Sequence, residues 1–308
     1  MKYTAFGHTG LKVSRLAFGA GPIGYLDSSQ EQVGQVLNLL LDRGVNVIDT
    51  AAAYLGSEEL IGKAVGHRRD DYILLSKCGR RVEGAEGEDW SARLVTETVD
   101  RSLRRLGTDR LDVMLLHSCK LEVLRRGEAL DALLRAKEAG KIRFAGYSGD
   151  NEAATFAAGL PGVDVLMCSA SICDQVNLEG ALPAAARAGT AVIAKRSVAN
   201  AAWKPLDAQQ GIYRDYVKPY AERFQAMALE PGELGFPGPE AWMEIALRFT
   251  LAQPGVHVVS IGTTSPANAE ANLRLLEAGP LPAAAAAKIR AAFQEARARS
   301  GGAWPGLT

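Results

Sequence analysis

Eight short apolar runs separated by stretches of helical periodicity constrain this chain more than any other feature. The runs fall at 16–19, 45–48, 72–77, 112–117, 142–147, 163–169, 191–195 and 257–261. Each is too short for a buried helix and apolar enough for a strand covered on both faces. Between most of them lie segments with apolar residues three and four apart, near 33–41, 57–65, 94–106, 127–138, 178–188, 241–251 and 267–276. Strands alternating with helical crossovers build a parallel sheet, and eight such units close into a barrel. The expected fold is therefore α/β, a (β/α)8 TIM barrel. Two further strand-like pieces, 2–6 and 12–15 around a Gly-His-Thr-Gly turn, predict a β-hairpin at its N-terminal end, with His8 a turn residue only. The chain has 308 residues, 47% hydrophobic and 23% charged, enough for one barrel domain over 1–308 with insertions.

In such barrels the chemistry sits in the loops after the strands. Three successive strands end on Asp49, Lys77 and His117, and Tyr54 lies in the loop after the first of these. Ser57, followed by Glu58 and Glu59, reads as a helix N-cap with acids in the first turn. The glycine-rich stretch 19–24 reads as a loop, and it lacks the Lys and Ser/Thr of a P-loop. The main irregularity is 198–239, which follows the seventh strand and holds Trp203, Tyr213, Tyr216, Tyr220, Phe224 and Phe236. Loops of that length are commonly lids or binding loops, so it is expected to fold over a ligand.

Thirty-five Lys and Arg balance thirty-five Asp and Glu, which removes any net field toward nucleic acid or an anionic membrane. No apolar run approaches membrane-spanning length and the first residues do not read as a signal peptide, so the expected location is cytoplasmic. Cys78, Cys119, Cys168 and Cys173 lack zinc spacing and are expected as small buried residues of a reducing compartment, with a metal cluster or an oxidation-sensitive pair as the alternative.

The chain strongly resembles the aldo-keto reductases over nearly its whole length. Asp49, Tyr54, Lys77 and His117 match the family's catalytic tetrad, and the runs TGLKVS (9–14), GSEELIG (56–62), SLRRL (102–106) and GKIR (140–143) match family motifs. The resemblance implies a nicotinamide-dependent reductase of an aldehyde, ketone or sugar carbonyl, or the reverse reaction. Tyr54 would be the general acid and Lys77 the ammonium that eases its deprotonation. Asp49 would hold Lys77 charged, and His117 would orient the carbonyl. It also implies cofactor contacts from Ser148, from Lys195, Arg196 and Ser197, and from Gly262, Thr263, Thr264, Asn268 and Asn272. The chain departs from the family pattern at Gly149, where an asparagine is usual, and at Met167, where a glutamine is usual.

NADP(H) is the expected cofactor, with NAD(H) as an alternative, because 263–268 contain no Lys or Arg to grip a 2′-phosphate. The expected partner is a small carbonyl compound, and the expected state is a monomer or weak homo-oligomer. Two other readings are a nucleotide-binding regulatory protein with little turnover, which the complete tetrad opposes, and a metal-dependent hydrolase. For the latter, His8, His67, His117 and His257 supply too few ligands, with His8 and His67 in turn-like settings, so no metal site is assigned.

Overall fold

The computed structural model describes residues 1–209, 211–302 and 304–307. Strands β1 (Tyr3–Ala5) and β2 (Lys12–Ser14) form an antiparallel hairpin. Strands β3 (Leu16–Gly19), β4 (Val47–Asp49), β5 (Ile73–Cys78) and β6 (Leu111–His117) are followed by β7 (Ile142–Ser148), β8 (Val165–Ser169), β9 (Ala191–Lys195) and β10 (Val258–Ile261). They close in the order β10-β3-β4-β5-β6-β7-β8-β9, each pair parallel, as the alternation in the sequence requires.

The barrel is filled rather than hollow. Ala17, Val47, Leu75, Val113, Leu115, Val165, Ile193 and Val258 point inward into one buried cluster, joined by Phe6 and Val13 of the hairpin. Phe6 is fully buried, and the His8 amide bonds the Gly189 carbonyl at 2.9 Å, so the hairpin seals the end of the barrel where the strands begin. Outside, crossover helices turn apolar stripes to the sheet. In Gln30–Asp42 these are Val33, Val36, Leu37, Leu40 and Leu41, behind a capping box of Ser29 and Gln32.

The structure corrects several local expectations. Ser57 is the first helical residue and not the cap: Gly56 takes the N-cap position with φ 66°, while the buried Ser57 hydroxyl lies 2.6 Å from that of Thr50. The stretch 19–24 contains a one-turn helix, Gly21–Tyr25, with Pro22 in its first turn. A helix between β7 and β8, Asn151–Ala158, carries its buried face on Ala154, Ala157 and Ala158, side chains too small to stand out as an apolar period. The excursion after β9 contains a fifteen-residue helix, Tyr213–Met227, which Pro219 and a polar-aromatic mixture hid. His8 does more than turn the chain: its Nε2 lies 3.2 Å from Asp164 Oδ1.

Candidate active site

Lys77 organises the site. Its ammonium has three protons and meets three oxygens: Asp49 Oδ1 at 2.7 Å, the Thr50 carbonyl at 2.8 Å and the Tyr54 hydroxyl at 3.4 Å. Lys77 and Asp49 are 2% and 4% exposed, so each charge depends on the other. Burial pushes the Asp49 carboxyl up from the ordinary carboxylate range, and the ammonium of Lys77 pulls against it. Adjacent register brings them together, because β4 and β5 pair Asp49 with Leu75, one pleat from Lys77.

Tyr54 hangs from the loop and is held from several sides. Its amide bonds the Ala51 carbonyl, its carbonyl accepts from the Ser57 amide, and the Tyr25 ring packs against its ring at 5.7 Å. Gly24 passes close enough that a Cβ there would lie 3.1 Å from the Leu55 carbonyl oxygen, a tight contact that a larger residue would relieve only by shifting the Tyr54 loop. Burial, and then the charge of Asp49, raise the phenol well above its ordinary value. The phenol keeps its proton, and because its oxygen accepts from Lys77 its O–H remains available to donate.

His117 ends β6 with its ring edge-on to Tyr54, the centroids 5.9 Å apart. Burial, assisted by Lys77, Arg80 and Lys195, holds its pKa well below the ordinary histidine value, so the imidazole is neutral near pH 7. Its buried Nδ1 has no partner among the described residues. An unpaired buried nitrogen carries a desolvation cost that a ligand can relieve.

All four residues line one cleft of about 1260 Å³ at the ends of the strands, and the nine residues expected to contact cofactor line it too. Their availability differs. Lys195 is paired with Asp150 at 3.1 Å. Arg196, with φ 55°, donates to the hydroxyls of Tyr216 (2.5 Å) and Tyr220 (3.1 Å). The Ser197 hydroxyl donates to the Ser260 carbonyl. Gly262 abuts β3, where a Cβ would stand 2.4 Å from the Gly19 carbonyl oxygen. Thr263 bonds the Ser265 amide, and Ser265 caps the helix Pro266–Leu275, whose first amides and macrodipole favour an anion. That edge of the cleft, 262–272, has no Lys or Arg.

Sequence reasoning missed Asp150, which bonds the Ser169 amide and hydroxyl and Asn177 as well as Lys195. It also missed Tyr25, at the end of the one-turn helix after β3, and Arg80, in the loop after β5, whose only signal is that they follow strand ends. The four cysteines are free and buried, and burial pushes their thiols up, Cys119 to about 12, which leaves no thiolate near pH 7. Among the described residues no group of three or more His, Cys, Asp or Glu is placed to hold a metal, and no helix is long and apolar enough to cross a membrane.

The cleft exceeds the roughly 300–1,000 Å³ of an ordinary small-ligand pocket and runs from Tyr54 and His117 to the polar 262–272 edge. The model of the Aldo/keto reductase family matches residues 15–294. An aldo-keto reductase from Bacillus halodurans, solved in its holo form, superposes with a TM-score of 0.79 at 30% identity, covering 95% of this chain and 96% of that one. L-galactose dehydrogenase of Arabidopsis thaliana is 38% identical over 158 residues, 47% of each chain. An aldo-keto reductase of Bacillus subtilis is 33% identical over 165 residues, 48% of this chain and 47% of the relative. The chain thus spans about half the length of the curated relatives it matches.

Proposed function

This chain belongs to the aldo/keto reductase family, and on that premise we propose that it interconverts a carbonyl compound and its alcohol with a nicotinamide cofactor. The observation that carries the reading is the ammonium of Lys77 shared among Asp49, Thr50 and Tyr54, beside a neutral His117 on the same cleft. A nicotinamide bound in the cleft would supply the hydride.

Tyr54 donates its proton to the carbonyl oxygen as the carbon is reduced, and the ammonium at 3.4 Å favours the phenolate left behind. Asp49 keeps Lys77 charged and in place. The imidazole of His117 donates a hydrogen bond to the same carbonyl oxygen and sets its direction, which a neutral ring with one N–H can do. In the oxidative direction the phenolate takes the alcohol proton.

Gly262, Thr263, Thr264, Asn268 and Asn272 would hold the adenosine end, Lys195 and Arg196 the phosphates, and Ser148 the nicotinamide amide. With hydroxyls and amides but no cation at 263–268, NADP(H) is favoured over NAD(H) by about tenfold or less, or about 1.4 kcal/mol. Absorbance of the reduced nicotinamide, followed over a panel of aldehydes, ketones and sugars with each cofactor, tests the reading. Tyr54→Phe should lower reduction by orders of magnitude with cofactor affinity nearly unchanged. Absence of turnover with every pair, or a Tyr54→Phe variant as active as the parent, overturns it.

A further inference from the structure

We propose that Arg80 makes this cleft selective for carbonyl compounds that carry a carboxylate, held at the far side from the nucleotide phosphates. The proposal rests on the reductase reading above and adds a substrate class to it.

Position comes first. Arg80 follows β5 and lines the cleft, and its Nε donates to the His117 carbonyl at 3.2 Å. In the closed order β10-β3-β4-β5-β6-β7-β8-β9, β5 stands four strands from β9 whichever way the barrel is traversed. Lys195 and Arg196 end β9 and the 262–272 edge follows β10, so the groups suited to a dinucleotide gather opposite Arg80. A guanidinium beside His117 faces the acceptor.

Charge comes second. Of the other cations lining the cleft, Lys77 is engaged with Asp49, Lys195 with Asp150 and Arg196 with two phenols, and the exposed Lys204 follows β9 on the opposite side from Arg80. Arg80 forms no ion pair among the described residues. The nearby acid Asp89 accepts from the Arg81 amide, and the acid Glu240 on the cleft belongs to the segment before the helix Trp242–Leu251. With Nε committed to His117, the two Nη groups remain as a parallel pair of donors, the geometry that a carboxylate accepts end-on.

The loop that carries Arg80 is anchored. Gly79 has φ +97°, its carbonyl accepts from the Trp90 amide at 2.6 Å, and a Cβ on it would lie 2.5 Å from the Trp90 indole. The cleft wall is aromatic in part, with Tyr25 against Tyr54 and Tyr213 against Tyr216. A flat or apolar body ending in a carboxylate matches those surfaces.

The test compares 4-formylbenzoate with its methyl ester, and 4-oxobutanoate with its methyl ester, in the parent and in Arg80→Met. The acid-to-ester ratio of kcat/KM should fall at least tenfold in Arg80→Met for one pair or both, chiefly through KM, with Arg80→Lys recovering part of it. Using a ratio cancels both the electronic difference between acid and ester and any disturbance of His117. If the esters are reduced and neither ratio moves by more than twofold, the reductase reading stands and the carboxylate site is overturned. If no compound is reduced by the parent, binding decides: calorimetry should show 4-(hydroxymethyl)benzoate binding at least tenfold more weakly to Arg80→Met, with 4-(hydroxymethyl)benzamide affected far less. Equal weakening of acid and amide, or none, overturns the proposal independently of turnover.

Discussion

Lys77 has as many protons as it has acceptors, and this fixes what its neighbours can do. The Tyr54 oxygen accepts, so its proton points elsewhere, and burial keeps that proton on the phenol far above neutrality. His117 is displaced in the opposite direction and stays neutral below the pH at which a solvated histidine would be charged. The signs give a prediction. Reduction needs Tyr54 protonated and, on this reading, His117 neutral, so kcat/KM for an uncharged aldehyde should be flat from about pH 6 to about pH 9. An acid limb near 6.5 in the measured profile would mean that His117 titrates as in water, and an alkaline limb below 9 would mean that Tyr54 is easily ionised. At this scale the sequence was readable where a strand imposed order. Asp49, Lys77 and His117 sit at or beside strand ends, where period and polarity both change, and the structure gathers them with Tyr54 on one cleft. Arg80 lies in a loop and Tyr25 in a single helical turn, both too short for a period to give side-chain direction, and only three-dimensional placement brings them to the cleft.

The excursion after β9 is the element in which expectation and structure differ most. Its second half is the helix Tyr213–Met227, whose Val217, Tyr220, Ala221 and Met227 are buried. That stripe was masked in the sequence by Pro219 and by aromatic residues that suit a loop as well as a helix. Its first half is different: Arg196, Ala199, Asn200 and Ala201 all have positive φ. Each costs of order 1 kcal/mol or more, a strain that surrounding contacts must hold and that tends to gather at ligand clamps. Trp203, Lys204, Tyr213 and Tyr216 border the cleft. Addition of reduced cofactor should therefore slow amide exchange in 198–209, whereas 213–227 is already protected by its own helical bonds. Exchange mass spectrometry that shows 198–209 unaltered by cofactor would leave this element as scaffold.

At the level of the molecule, the barrel order was legible because eight apolar runs and their spacing admit few other closed sheets. The missing helix between β7 and β8 was not, because alanines bury area without announcing it. The hairpin has a larger part than its length suggests. Phe6 enters the cluster that fills the barrel, and Phe6→Ala should cost about 3–5 kcal/mol, read as a lower midpoint in urea unfolding. A midpoint equal to that of the parent would mean that the floor collapses onto the gap. The sealed floor also governs traffic. With the interior packed and the strand-start end closed by the hairpin among the described residues, the broad cleft lies at the other end, where the strands finish. Two ligands that share a single doorway cannot come and go independently: whatever lies deeper has to enter first and leave last. Were a cofactor and an acceptor held in line there, turnover would take on the rhythm of a queue, the deeper molecule waiting on the shallower.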